Sequence, residues 1–180
     1  MIRRLIPFAA ALCALAVANP ASAELAKGAK APTFATQGAE AGKAFAFNLS
    51  SALARGPVVL YFYPKAFTQG CTVEAHAFAE AMDDFRKEGA TVIGMSADDL
   101  ETLKKFSTEA CRDKFPVAIA SPEIIKAYDV ALEMNGQATA LTKRTTYVIG
   151  KDGRIAMAFS DMKPNEHITR SLAAVKALKK

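Results

Sequence analysis

Apolar positions fall into runs, alternations and helical stripes that divide the chain into elements. Residues 58–63, Val-Val-Leu-Tyr-Phe-Tyr, form an unbroken apolar run, the pattern of a strand buried on both faces. A second such run covers 90–96, and a shorter one covers 115–120. Between them the period changes to that of a helix. Phe78, Met82 and Phe85 share one face of a helix that follows Cys71 and reaches about Lys87, where Gly89 ends it. Leu103, Phe106 and Ala110 share one face of a helix over 100–112, opened by Asp98-Asp99, with Cys111 in its last turn. Ser121-Pro122 opens a brief helix to about Tyr128. Residues 129–143 carry only weak periodicity and read as a loop. Strands over 144–149 and 154–159 flank an Asp152-Gly153 turn, and Ile168, Leu172, Val175 and Leu178 mark a final helix over 166–178. Upstream, 33–36 and 43–47 predict a hairpin of short strands, and 50–53 a single helical turn. Strands alternating with helices, then a hairpin and a last helix, predict one α/β domain with a mixed sheet between helices.

The start of the chain has a different pattern. Arg3 and Arg4 precede an apolar stretch over 5–18, and Ala21-Ser22-Ala23 follows. This is the pattern of a secretory signal peptide, with an apolar part too short to cross a bilayer. The expected division is residues 1–23 as a cleaved signal and 24–180 as the domain, with an uncleaved anchor as the alternative. The arginines lost in cleavage lower the formal charge from +5 to +3. So small a charge argues against nucleic acid and against stable membrane association. The predicted address is export, to the periplasm.

Of three cysteines, Cys13 lies in the signal, which leaves Cys71 and Cys111. In an oxidising compartment they could form a structural disulfide, or serve as attacking and resolving thiols. Composition does not choose. Cys71 stands where the loop after the 58–63 strand, ended by Pro64, turns into a helix. A helix start presents unpaired N–H groups and a positive dipole end, so a thiol there ionises more readily. Thr68 can put a hydroxyl beside the sulfur. A lone cysteine after an apolar strand is otherwise a small core residue, and Thr68 alone would be a turn residue.

The spacing Pro64, Thr68, Cys71 has the form P-x-x-x-T-x-x-C, which resembles the active-site signature of the peroxiredoxins. The longer string from Tyr61 to Ala75, Y-F-Y-P-K-x-x-T-x-G-C-T-x-E-A, is similar to the PrxQ/bacterioferritin-comigratory-protein branch, and the similarity runs over roughly residues 30–178. The resemblance implies a thioredoxin-like fold and a thiol peroxidase. Cys71 would attack hydrogen peroxide or an organic hydroperoxide and pass through a sulfenic acid. Pro64 would shield the thiolate and shape the loop. Arg144, before Thr145-Thr146-Tyr147, matches the family arginine that reaches the active cysteine. Glu74 matches a family acid that holds this arginine or a cap, with a solvated helix acid as the other reading. Many relatives carry a resolving cysteine where this chain has His76. The resemblance then implies Cys111 as resolver, since some members place theirs in the next helix.

It further implies an intramolecular Cys71–Cys111 disulfide, a thioredoxin-like or glutaredoxin-like reductant, a monomer and no cofactor. His76 and His167 lie far apart in sequence and suggest no metal set. A thiol–disulfide oxidoreductase would need C-x-x-C, which Thr72-Val73-Glu74 after Cys71 does not supply. A non-catalytic redox sensor, or a fold simply held by a disulfide, is the remaining alternative.

Overall fold

The computed structural model describes residues 24–179. A hairpin of β1 (Ala35–Glu40) and β2 (Lys43–Asn48) leads into α1 (Leu49–Arg55). The central stretch is β3 (Val58–Phe62), α2 (Gln69–Lys87), β4 (Thr91–Ser96), α3 (Leu100–Glu109) and β5 (Val117–Ile119). Then come α4 (Pro122–Ala127), β6 (Ala131–Met134), β7 (Gln137–Thr142), β8 (Thr145–Ile149), β9 (Ile155–Ser160) and α5 (His167–Ala177). Seven strands form one mixed sheet in the order β2-β1-β5-β4-β3-β8-β9, with β3, β4 and β5 parallel. The expected α/β domain with helices on both faces is what forms.

Strand β3 shows why the 58–63 run lacks alternation. Val59, Tyr61 and Tyr63 enter one apolar core with residues of α2, α3 and α5. Val58, Leu60 and Phe62 enter another with residues of α1 and α4. A strand covered on both faces must be apolar at every position. The Tyr61 ring crosses its partner position Gly94, where a Cβ would lie 2.7 Å from the phenol oxygen.

Strand β1 runs over Ala35–Glu40 rather than 33–36, and α1 is a seven-residue helix rather than a single turn. Two further expectations need correction. Residues 129–143 are not a loop, because β6 and β7 pair there as a separate two-stranded sheet. Their turn is Asn135-Gly136, both with positive φ (52° and 75°), as a tight hairpin turn requires. The strands are largely exposed, so no core demanded the apolar alternation by which strands are read. Helix α3 ends at Glu109 rather than Arg112, with Ala110 as its C-cap, so Cys111 lies beyond the helix. The N–H groups of Ala110 and Cys111 both donate to the Phe106 carbonyl at 3.0 Å, and Arg112 and Asp113 adopt left-handed φ of 53° and 56°. No glycine marks this stop, while Ala110 and Cys111 stay buried and prolong the apolar stripe past the helix itself.

The signal-peptide reading of residues 1–23 lies outside the described residues. Among those described, no helix is long and apolar enough to cross a membrane.

Candidate active site

The site forms where β3 ends and α2 begins. Thr68 is the N-cap of α2, which puts Cys71 in the first turn. The first backbone bond of that turn runs from Thr72 N–H to Thr68 O at 2.9 Å. The N–H groups ahead of it point toward the sulfur end of the helix without helical acceptors. Pro64 is half-buried and Cys71 is 1% exposed. The intervening loop is pinned from below. Asp98 Oδ2 accepts from Ala66 N–H at 2.7 Å and from Ser96 Oγ at 2.8 Å. Of the Asp98-Asp99 pair, only Asp99 caps α3, accepting from Thr102 N–H at 2.9 Å. Phe67 holds a left-handed φ of 63°, and its ring meets Phe106 edge-on at 5.2 Å. Such backbone strain in a bulky residue costs about 1–3 kcal/mol and persists only where packing enforces it.

Arg144, just before β8, brings a guanidinium to the sulfur. Its Nη2 donates to Cys71 Sγ at 3.4 Å, its Nη1 to Glu74 Oε2, and its Nε to the Met162 carbonyl at 3.0 Å. Only 4% of this side chain is exposed. Gly70 eases the approach: a Cβ there would stand a tight 3.3 Å from Arg144 Nη2. The site thus sets a buried permanent cation directly against the sulfur.

Glu74 is wholly buried, so the reading as a solvated helix acid is excluded. Burial raises its carboxyl to about 8, against the opposing pull of Arg144. Its Oε1 has no hydrogen-bond partner, and His167 Nδ1 stands 3.9 Å away. His167, distant in sequence, is thus brought directly behind the acid.

Thr68, the N-cap residue of α2, is committed elsewhere as a donor. Its hydroxyl donates to the Lys65 carbonyl at 3.0 Å and not to the sulfur. Its oxygen lone pairs remain free to accept from an incoming O–H. Cys111 is not at the sulfur of Cys71 as a bonded partner, since both thiols are free and buried. Burial, reinforced by the Asp113 charge, pushes the Cys111 thiol far above its usual range. His76 is half-buried on α2. Among the described residues no group of three or more His, Cys, Asp or Glu side chains could hold a metal ion. Gly70, Asp98, Met162 and His167 were not singled out as site residues by sequence. Only Gly70, beside the cysteine in the quoted string, carried a signal that could have been used.

The AhpC/TSA family model matches residues 27–158. A chloroplastic peroxiredoxin Q from Populus jackii is 34% identical over 167 residues, covering 90% of this chain and 73% of that protein. The chain belongs to the AhpC/TSA family, in its peroxiredoxin Q branch. Another relative, the chloroplastic peroxiredoxin Q of Sedum lineare, is 36% identical over 127 residues, which span 68% of this chain and 65% of that protein's length. Among solved structures, Xanthomonas campestris peroxiredoxin Q matches with a TM-score of 0.69 at 31% identity, over 80% of this chain and 91% of that one. Peroxidoxin BcpB from Mycobacterium tuberculosis matches with a TM-score of 0.75 at 29% identity, over 86% and 98%. The thioredoxin-like peroxiredoxin fold is thereby shown for this family member.

Proposed function

We propose that the protein is an exported thiol peroxidase that reduces hydrogen peroxide and organic hydroperoxides through Cys71. The observation that carries this reading is the Arg144 guanidinium donating to Cys71 Sγ at 3.4 Å, at the start of α2. Family membership and relatives that bear the name peroxiredoxin support it. So does a matching structure of the Xanthomonas campestris bacterioferritin comigratory protein, which is described as having alkyl peroxide reduction activity.

The thiolate displaces one oxygen of the O–O bond, so an S–O bond forms as the O–O bond breaks. The products are a sulfenic acid and, once the leaving oxygen takes a proton, water or an alcohol. Arg144, beside the sulfur, and the open N–H groups of the helix start supply the donors that stabilise charge developing on the leaving oxygen. Thr68 accepts from the hydroperoxide O–H, its own proton being committed to Lys65.

Cys111 then displaces the sulfenic oxygen as water and forms an intrachain disulfide. Its thiol is held protonated by burial, so it attacks only after the 110–114 turn opens to solvent. A thioredoxin-like or glutaredoxin-like dithiol protein reduces the disulfide. The working protein is a periplasmic monomer, and its chemistry uses sulfur alone.

The test is mass spectrometry of the mature protein after one equivalent of peroxide. A Cys71–Cys111 peptide pair is expected in wild type, a Cys71 sulfenic or overoxidised product in Cys111→Ser, and no peroxide consumption in Cys71→Ser. Turnover by Cys71→Ser would end the proposal. An intrachain disulfide in Cys111→Ser would remove Cys111 from it.

A further inference from the structure

We propose that His167 is a positioning residue, which shares one proton with Glu74 and so sets how Arg144 divides itself between Glu74 and the Cys71 sulfur. This rests on the thiolate chemistry proposed above. The imidazole is wholly buried at the start of α5. Its Nε2 lies 2.9 Å from the Asp161 carbonyl, which can only accept, so Nε2 carries a hydrogen. Its Nδ1 lies 2.8 Å from Thr146 Oγ1 and 3.9 Å from Glu74 Oε1.

Glu74 Oε1 is buried without any donor. A bare carboxylate oxygen in that position is costly. The cost falls if Oε1 carries a proton, or if Nδ1 carries one and sets an imidazolium charge 3.9 Å from Oε1 while Thr146 Oγ1 accepts its hydrogen. One proton serves either way: at 3.9 Å the two atoms stand at ion-pair distance, so a proton resting on either one neutralises the charge that the other faces.

Charge balance gives the same answer. A Cys71 thiolate and the Arg144 guanidinium neutralise each other, which leaves an ionised Glu74 as a surplus buried charge. A proton on the Glu74–His167 pair removes that surplus. With it in place, the guanidinium is directed to sulfur. Without it, the carboxylate competes for the guanidinium. The groups that face the pair are consistent with this. Glu74 comes from α2, Arg144 from ahead of β8, Asp161 from beyond β9, and Arg170 from α5 itself, stacked over Phe159 at 4.4 Å. Burial and Arg144 lower the proton affinity of the imidazole, while Asp161 and, more weakly, Glu24 raise it. Burial raises that of Glu74.

The reaction changes this balance by one charge. As S–O forms and O–O breaks, the sulfur passes from anion to neutral sulfenic acid, and the leaving oxygen takes up one proton. Loss of the thiolate charge frees one proton from the pair. Uptake and release match.

Two measurements test the assignment. Nitrogen-15 NMR of the His167 ring, titrated from pH 5 to 9 in reduced wild type and in Cys71→Ser, reads the proton on the pair without any peroxide. The midpoint is expected at least about one pH unit higher in wild type, because a nearby thiolate holds the proton. Equal midpoints overturn the proposal, whatever the peroxidase assay shows. His167→Gln keeps a donor for the Asp161 carbonyl and deletes Nδ1. Its second-order rate with hydrogen peroxide at pH 7 is expected to fall about tenfold, with the alkaline decline of the profile displaced. A profile parallel to wild type at every pH would mean that His167 is only structural, and would overturn it too.

Discussion

Arg144 does three things with one side chain: it donates to the Met162 carbonyl, to Glu74 and to the Cys71 sulfur. A lysine ammonium has the charge but not the planar fork, so it cannot meet all three acceptors in these directions. Arg144→Lys is therefore expected to lower the second-order rate with peroxide by about 10²-fold, the scale of losing one preorganised donor. Stopped-flow kinetics checks this, and a rate within twofold of wild type would show that charge alone suffices. Glu74 supplies a pH signature. Folded, it keeps its proton to about 8, whereas the ordinary carboxyl value is 4.5. Between those values the unfolded chain binds fewer protons than the folded one, so stability falls as pH rises and levels off above about 8. Glu74→Gln should flatten that part of the melting-temperature profile, and an unchanged slope would place its origin elsewhere. Cys71, Thr68 and Pro64 stood out by residue type and spacing, whereas Arg144 and Glu74 were singled out only by the resemblance to the peroxiredoxins. The direction of the Thr68 hydroxyl was not legible, since a nearby carbonyl took its proton.

At the scale of elements, Phe106 joins the two sulfur-bearing segments. Its ring stacks on Tyr63 at 5.3 Å and meets Phe67 at 5.2 Å, and its carbonyl holds the N–H of Cys111. Phe106→Ala should cost about 3–5 kcal/mol in urea unfolding. It should also speed alkylation of Cys111 in the native protein, about tenfold for each ~1.4 kcal/mol lost from local opening. Labelling that stays at the wild-type rate would mean that the turn opens independently of this ring. The Pro64–Thr68 loop has its own tether in Asp98, which is indistinguishable in sequence from a second helix cap. Asp98→Ala leaves the part-buried Ala66 N–H without its acceptor, at a cost of about 1–3 kcal/mol. Faster hydrogen exchange at Ala66 is the measurement to make, and unchanged protection there would deny the tether. Helix and strand existence followed from periodicity nearly throughout. The β6–β7 hairpin escaped because exposed strands need no apolar alternation, and its Asn135-Gly136 turn was the better signal.

For the whole molecule, the oxidised state sets the sharpest expectation. An ordinary disulfide raises stability by about 2–4 kcal/mol. Here both thiols are free and packed in one core with Tyr61, Phe78 and Phe115. Joining them as proposed takes the start of α2 and the turn after α3 out of that packing, so the oxidised protein should melt below the reduced one. Calorimetry of the two forms decides, and a higher melting point on oxidation would favour a static structural bridge. The sequence by itself determined the layered α/β architecture, since a strand between two helical layers must be apolar at every position. It also determined which sulfur attacks in the proposed reaction, since the thiol, proline and threonine lie on one short segment whose spacing the chain itself maintains. Only the tertiary structure decided that Arg144 reaches Cys71, that Glu74 is buried, and that His167 stands behind it. Those contacts join α2, the residue ahead of β8 and α5, and no local pattern of residues encodes which side chains meet when separate elements pack together.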